Sequence, residues 1–143
     1  EVTTEGGLDV AGQQDHLKGV VEGMHEHGIK VSMFIDPDIR QVEASAAVGA
    51  DYVELHTGAY ANAAPLDVLH ELNRLAEAAT HAIQSGLIFN AGHGLTVQNL
   101  PAVAAIPVLN EVNIGHSIIA RSVFIGLEAA VKEILHILQA YSK

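Results

Sequence analysis

Apolar positions along this chain recur with two periods that take turns, one helical and one extended. Asp9 reads as an N-cap, and Leu17, Val20, Val21 and Met24 then fall on one face of a helix running to about His27. Gly28 closes it, and Ile29 to Ile35 reads as a strand. Pro37 suits the first turn of a second helix, which extends to about Val48 before Gly49. Tyr52-Val53-Glu54-Leu55-His56 is the next strand. Pro65 then opens a long helix carrying Leu66, Leu69, Leu72 and Leu75 and ending near Gly86. Leu87 to Asn90 is a third strand, followed by a shorter helix from about Val97 to Ala105. Glu111 to Ile114 is a fourth strand. A final helix runs from Ser117 to about Tyr141, with Val123, Leu127, Val131, Ile134, Leu135 and Leu138 toward the core.

Regular strand–helix alternation predicts parallel strands joined by right-handed crossovers. The strands can form a small open sheet or part of a (β/α)8 barrel, which takes roughly 250 residues when complete. Long helices at short intervals and glycine-bearing loops after the strands favour the barrel, with two strand edges left unpaired. The 143 residues, 49% of them apolar, suffice for one core and read as a single domain, 1–143. The chain opens at Glu1 on a loop-like stretch through Gly7, so an N-terminal part is expected to be missing.

Charge and composition narrow the partners. A formal charge of −10 disfavours nucleic acid and anionic membranes, and the seven Lys and Arg form no basic cluster. No apolar run approaches the roughly 20 residues that span a bilayer. The absence of Cys and of a recognisable signal peptide fits a cytoplasmic setting. An anionic ligand would then have to be held by local backbone geometry.

Two phrases offer that geometry: Asn90-Ala91-Gly92-His93-Gly94 and Asn113-Ile114-Gly115-His116-Ser117. Each follows an apolar run and precedes a helical pattern. A glycine-bearing strand end that opens into a helix presents backbone N–H groups suited to phosphate. Gly94, Gly115 and His116, with Ser117 beside them, are the candidate donors, and phosphorylated small molecules the candidate ligands. His93, between glycines, is free to reach a ligand and titrates near neutrality, as a proton donor or acceptor must. The alternative for each phrase is ordinary turn and helix-start chemistry.

Glu54 and His56 share one face of their strand, at the carboxyl end where ligands bind in parallel sheets and barrels. A carboxylate flanked by apolar strands is desolvated, which raises its pKa and suits proton transfer or the stabilisation of positive charge. Glu54, His56 and His93 could instead form a facial metal triad, making a metal-dependent sugar-phosphate epimerase or aldolase. A phosphate-binding half-barrel without catalysis is a third reading. Asp36 and Thr57, also at strand ends, are secondary candidates. His25 and His27 face apart on their helix, and His16, His70, His81 and His136 read as surface or rim residues.

Together, Val2-Thr3-Thr4-Glu5-Gly6-Gly7-Leu8-Asp9-Val10, Glu54-Leu55-His56-Thr57-Gly58, Asn90-Ala91-Gly92-His93-Gly94-Leu95-Thr96 and Asn113-Ile114-Gly115-His116 closely resemble the pyridoxine 5'-phosphate synthase family. The likeness keeps the order and approximate spacing of these motifs over the whole chain. It implies a TIM barrel of which this is about the last four β/α units, beginning in the loop after the fourth strand. It implies condensation of 1-deoxy-D-xylulose 5-phosphate with 3-amino-2-oxopropyl phosphate to pyridoxine 5'-phosphate, phosphate and water, with no metal or organic cofactor. It matches His93 to a proton-donating histidine and Glu54 to a carboxylate that stabilises charged intermediates. Gly94, Gly115 and His116 match the cradle for the aminoketone's phosphate, and Thr3 a contact to the sugar phosphate. His56 takes no role from the resemblance and is left as a pocket residue. The family's remaining acid–base and phosphate-binding groups come from the first half of the barrel, so the chain alone is expected to be inactive. A homo-oligomer is implied for the complete protein.

Overall fold

The computed structural model describes residues 6–141. Its elements are α1 (Gln14–Glu26), β1 (Ser32–Ile35), α2 (Ile39–Ala47), β2 (Tyr52–His56), α3 (Gly58–Ala61), α4 (Val68–Gln84), β3 (Ile88–Gly92), α5 (Leu100–Ala104), β4 (Glu111–Asn113), α6 (His116–Ile125) and α7 (Leu127–Tyr141). The strands form one parallel sheet in the order β1-β2-β3-β4. Each strand pairs with the next in sequence, and the order nowhere reverses as it does in a doubly wound sheet. This is the architecture of consecutive units of a (β/α)8 barrel.

Register follows from alternation. Ile35 pairs with Leu55, Val53 with Phe89 and Leu55 with Ala91. These side chains, all at 0% exposure, face the helices. Val42 of α2, Leu75, Ala78, Ala79 and Ala82 of α4 and Val103 of α5 complete that buried layer. Each fully buried branched or aromatic side chain contributes about 1.5–3 kcal/mol over its exposed state. Below the sheet, Asp51 accepts from Lys30 Nζ at 2.6 Å, the Val31 N–H at 2.9 Å and His25 Nε2 at 2.8 Å. The Lys30 ammonium, with those further donors, holds the Asp51 carboxyl far below the usual carboxylate range.

Several predicted boundaries move, each for a local reason. Asp9 caps no helix; it accepts from the Gly12 N–H at 3.1 Å and closes a turn, so α1 begins only at Gln14. The first strand is shorter than expected because Ile29 and Lys30 lie exposed before it. Asp38 caps α2 by accepting from the Arg40 N–H. The long helix starts at Val68 rather than Pro65, since the Asp67 N–H closes a turn on the Ala64 carbonyl and leaves Leu66 and Leu69 exposed. The predicted last helix is two helices. Gly126, at φ 84° and ψ 152°, occupies a conformation essentially reserved for glycine and breaks the ladder between α6 and α7. Val123, Leu127, Val131 and Leu135 lie outward, against the expected core set, while Ile134 is buried and Leu138 packs against the core.

Candidate active site

The inward face of the sheet brings the candidate residues together. Phe34, Glu54, Asn90 and Glu111 form one row across the strands, and His56, Gly92 and Asn113 the row nearer the carboxyl ends. Glu54 Oε2 accepts from Asn113 Nδ2 at 2.8 Å, reaching across β3 to do so. Gly92 makes that path possible, because a Cβ there would lie 2.0 Å from Glu54 Oε1. Burial raises the Glu54 pKa, and the hydrogen bond from Asn113 opposes the rise. Asn113 is not among the residues expected from sequence to do chemistry. Its signal was its place in the Asn-Ile-Gly-His phrase, two residues before the glycine.

His93 stands just beyond β3 at φ 82°, a left-handed conformation uncommon for a residue with a side chain. Such backbone costs of order 1–3 kcal/mol unless its surroundings hold it. Thr57, fully buried, does the holding: its N–H donates to the Gly92 carbonyl at 2.8 Å, and its hydroxyl proton is shared between the carbonyls of Gly92 and His93. Thr57 is thus a scaffold residue. Burial, and then the neighbouring His56 ring, push the His93 pKa down. Once protonated, such an imidazole is a stronger acid than a free one.

The two glycine-bearing loops are tied to each other. Ser117 Oγ donates to the Leu95 carbonyl, and Asn99 gathers the loop after β3 by accepting from the Thr96 N–H at 2.7 Å and donating to the Gly94 carbonyl at 3.1 Å. Tyr60 of the short helix α3 donates to the Asn99 carbonyl at 2.8 Å. Gly115 is the N-cap of α6, whose first-turn N–H groups have no intrahelical acceptor. Glu54, His93, Gly94, Asn113, Gly115 and His116 line one cavity of about 600 Å3. Five of the six residues predicted as catalytic or phosphate-binding therefore surround a single space. The sixth, Thr3, lies outside the described residues.

His56 departs from expectation. It stands behind His93 rather than in the cavity lining, with Nδ1 bonded to Asp36 Oδ1 at 3.0 Å. The facial triad of Glu54, His56 and His93 is accordingly not assembled, and among the described residues no group of three or more His, Asp or Glu is gathered as a metal ion would require. Of the remaining histidines, His81 pairs with Glu43 at the surface, and His27 bonds the Gly23 carbonyl of its own helix. Among the described residues no helix is long and apolar enough to cross a membrane.

Comparison with known proteins gives the family of the chain. Residues 1–140 match the family described as pyridoxal phosphate biosynthesis protein PdxJ. The chain is 58% identical over 135 residues to a pyridoxine 5'-phosphate synthase of Coxiella burnetii, covering 93% of this chain and 56% of that protein. It is 56% identical over 139 residues to one of Prochlorococcus marinus, with 97% and 57% covered. To one of Synechocystis it is 54% identical over 134 residues, with 93% and 55% covered. The chain spans about half the length of the curated relatives it matches. With motifs, strand order and overall identity in agreement, the chain belongs to the PdxJ family of pyridoxal phosphate biosynthesis proteins.

Proposed function

We propose that this chain supplies the C-terminal half of a pyridoxine 5'-phosphate synthase barrel, and that 1–143 acts as one structural unit within it. The complete enzyme condenses 1-deoxy-D-xylulose 5-phosphate with 3-amino-2-oxopropyl phosphate and releases phosphate and water. One observation carries the reading: an acid–base histidine, a half-buried carboxylate and two glycine-bearing strand-to-helix loops surround a single cavity. Ring closure by imine formation and elimination is a series of proton transfers on two anchored phosphoesters, which calls for that set of groups.

In this reading His93 donates a proton to a departing oxygen, helped by its lowered pKa. Glu54, kept in place by Asn113, faces the positive charge of the imine stage. Gly94, Gly115 and the first N–H of α6 at His116 hold the aminoketone's phosphate. Thr3 contacts the sugar phosphate. The reaction asks for no metal or organic cofactor, takes place in the cytoplasm, and belongs to a closed homo-oligomer of the complete chain. Alone, the 143 residues lack the other half of the site and turn over little or nothing.

Turnover of the complete protein with His93→Asn is the test. The expected loss is roughly 10²–10⁴-fold with substrate binding retained. An unchanged rate would remove His93 from the mechanism. Full activity after chelation is also expected; activity lost to chelation, with metal lost on Glu54→Gln, would point to a metal-dependent epimerase or aldolase instead.

A further inference from the structure

His56 is a well-buried imidazole beside the cavity, and the reaction proposed above gives it no task. Its ring packs edge-on against Phe34, with centroids 5.2 Å apart, and tilts against His93 at 4.8 Å. The side chain is 12% exposed, and its Nδ1 lies 3.0 Å from Asp36 Oδ1. An ionised carboxylate only accepts, so Nδ1 carries a proton and the neutral ring keeps its lone pair on Nε2. That atom is buried and has no hydrogen-bond partner among the described residues. A buried acceptor left without a donor forfeits its hydration, so a mere spacer would be better served by an apolar side chain.

The surroundings are shaped to this ring. A Cβ on Gly58 would lie 2.6 Å from His56 Nε2 and 3.3 Å from His93 Cδ2, so only a glycine lets both imidazoles sit there unshifted. Asp36 is itself fixed, since Oδ1 also accepts from the Gly7 N–H at 3.2 Å. Gly7 in turn lies hard against the end of β1, where a Cβ would be 2.3 Å from the Asp36 nitrogen.

We propose that Asp36 and His56 are positioning residues for His93. Asp36 holds His56 in one tautomer, and the His56 ring fixes the His93 imidazole and governs how readily it keeps its proton. The inference rests on the role given to His93 in the proposed function. Burial first, and then the adjacent His56 ring, disfavour a positive charge on His93. The charged and titratable groups facing His56 are Asp36 from the loop after β1, Glu54 from its own strand and His93 from the loop after β3. His93 shares its cavity with Glu54 and His116. With Asp36 holding the His56 ring in place against it, His93 is the readier donor.

The test is an NMR titration of the His93 Cε1–H in this chain, without substrates, for the wild type, Asp36→Asn and His56→Asn. Asp36 is half-exposed, so its variant spares the core. His56→Asn keeps a donor near the position of Nδ1 but cannot take up a proton. In both variants His93 is expected to titrate at higher pH than in the wild type. In the complete barrel, the alkaline limb of kcat should move to higher pH with KM unchanged. A His93 titration identical in all three proteins, or a pH profile unmoved by Asp36→Asn, would overturn the proposal. A shifted titration in a complete barrel that makes no product supports the pair and overturns the synthase reading instead.

Discussion

The two faces of the sheet are built from alternate residues of the same strands and have opposite characters. Toward the helices stand Met33, Ile35, Val53, Leu55, Phe89 and Ala91, all buried and all apolar. Toward the other side stand Ser32, Phe34, Tyr52, Glu54, His56, Asn90, Glu111 and Asn113, mostly polar and, except for Asn90, not fully buried. One face supplies cohesion and needs nothing further. The other carries the candidate site residues and is the face that a complete barrel would enclose. Stability and activity should therefore respond to different substitutions, although adjacent residues carry them.

Phe89→Ala should show the largest effect. Truncating that fully buried ring is expected to cost about 3–5 kcal/mol in chemical denaturation. Ser32→Ala, on the opposite face, should stay within about 0.5 kcal/mol of the wild type. Comparable losses from both would mean that the inward face is already packed and the division is false.

Gly92→Ala comes next and addresses the chemical face alone. The new methyl displaces the flexible end of Glu54 and breaks its bond to Asn113, with the fold far less disturbed than by Phe89→Ala. A misplacement of this size should lower turnover of the complete enzyme by about 10²-fold. Steady-state kinetics beside a melting curve would separate the two effects, and full activity would show that the Glu54 position does not matter.

The smallest effect concerns pH. Glu54 has its folded pKa raised by burial, so its contribution is fully present below its ordinary value of 4.5 and is lost as pH rises through the folded value. Glu54→Gln removes that dependence, so its stability relative to the wild type should grow from about pH 4.5 upward. Thermal melts across that range would show it. A constant difference would mean the carboxylate is as well solvated in the fold as in the unfolded chain.

How far the sequence could be read depended on which face a residue served. Tyr52–His56 appears as predicted because aliphatic Val53 and Leu55 alternate with Tyr52, Glu54 and His56, and period-two alternation is the plainest strand signal. The sequence predicts one last helix where there are two because Ile134 and Leu138 continue the apolar period of α6 straight through Gly126, and one glycine inside a helical pattern is usually tolerated. The helix α3 leaves no trace in the sequence because its four residues, Gly-Ala-Tyr-Ala, are too few to show a period. In the site, Glu54, His93 and the glycines were visible as chemical types at strand ends. Their links were not, because Glu54–Asn113 and Asp36–His56 cross between strands. The second link was within reach: pairing Ile35 with Leu55 places Asp36 beside His56 at the next position.

The most direct measurement mixes this chain with the N-terminal half of the barrel and both phosphorylated substrates, and follows pyridoxine 5'-phosphate. The account predicts product only when the two halves are combined. Product from this chain alone, or none from halves shown to have assembled, would contradict it.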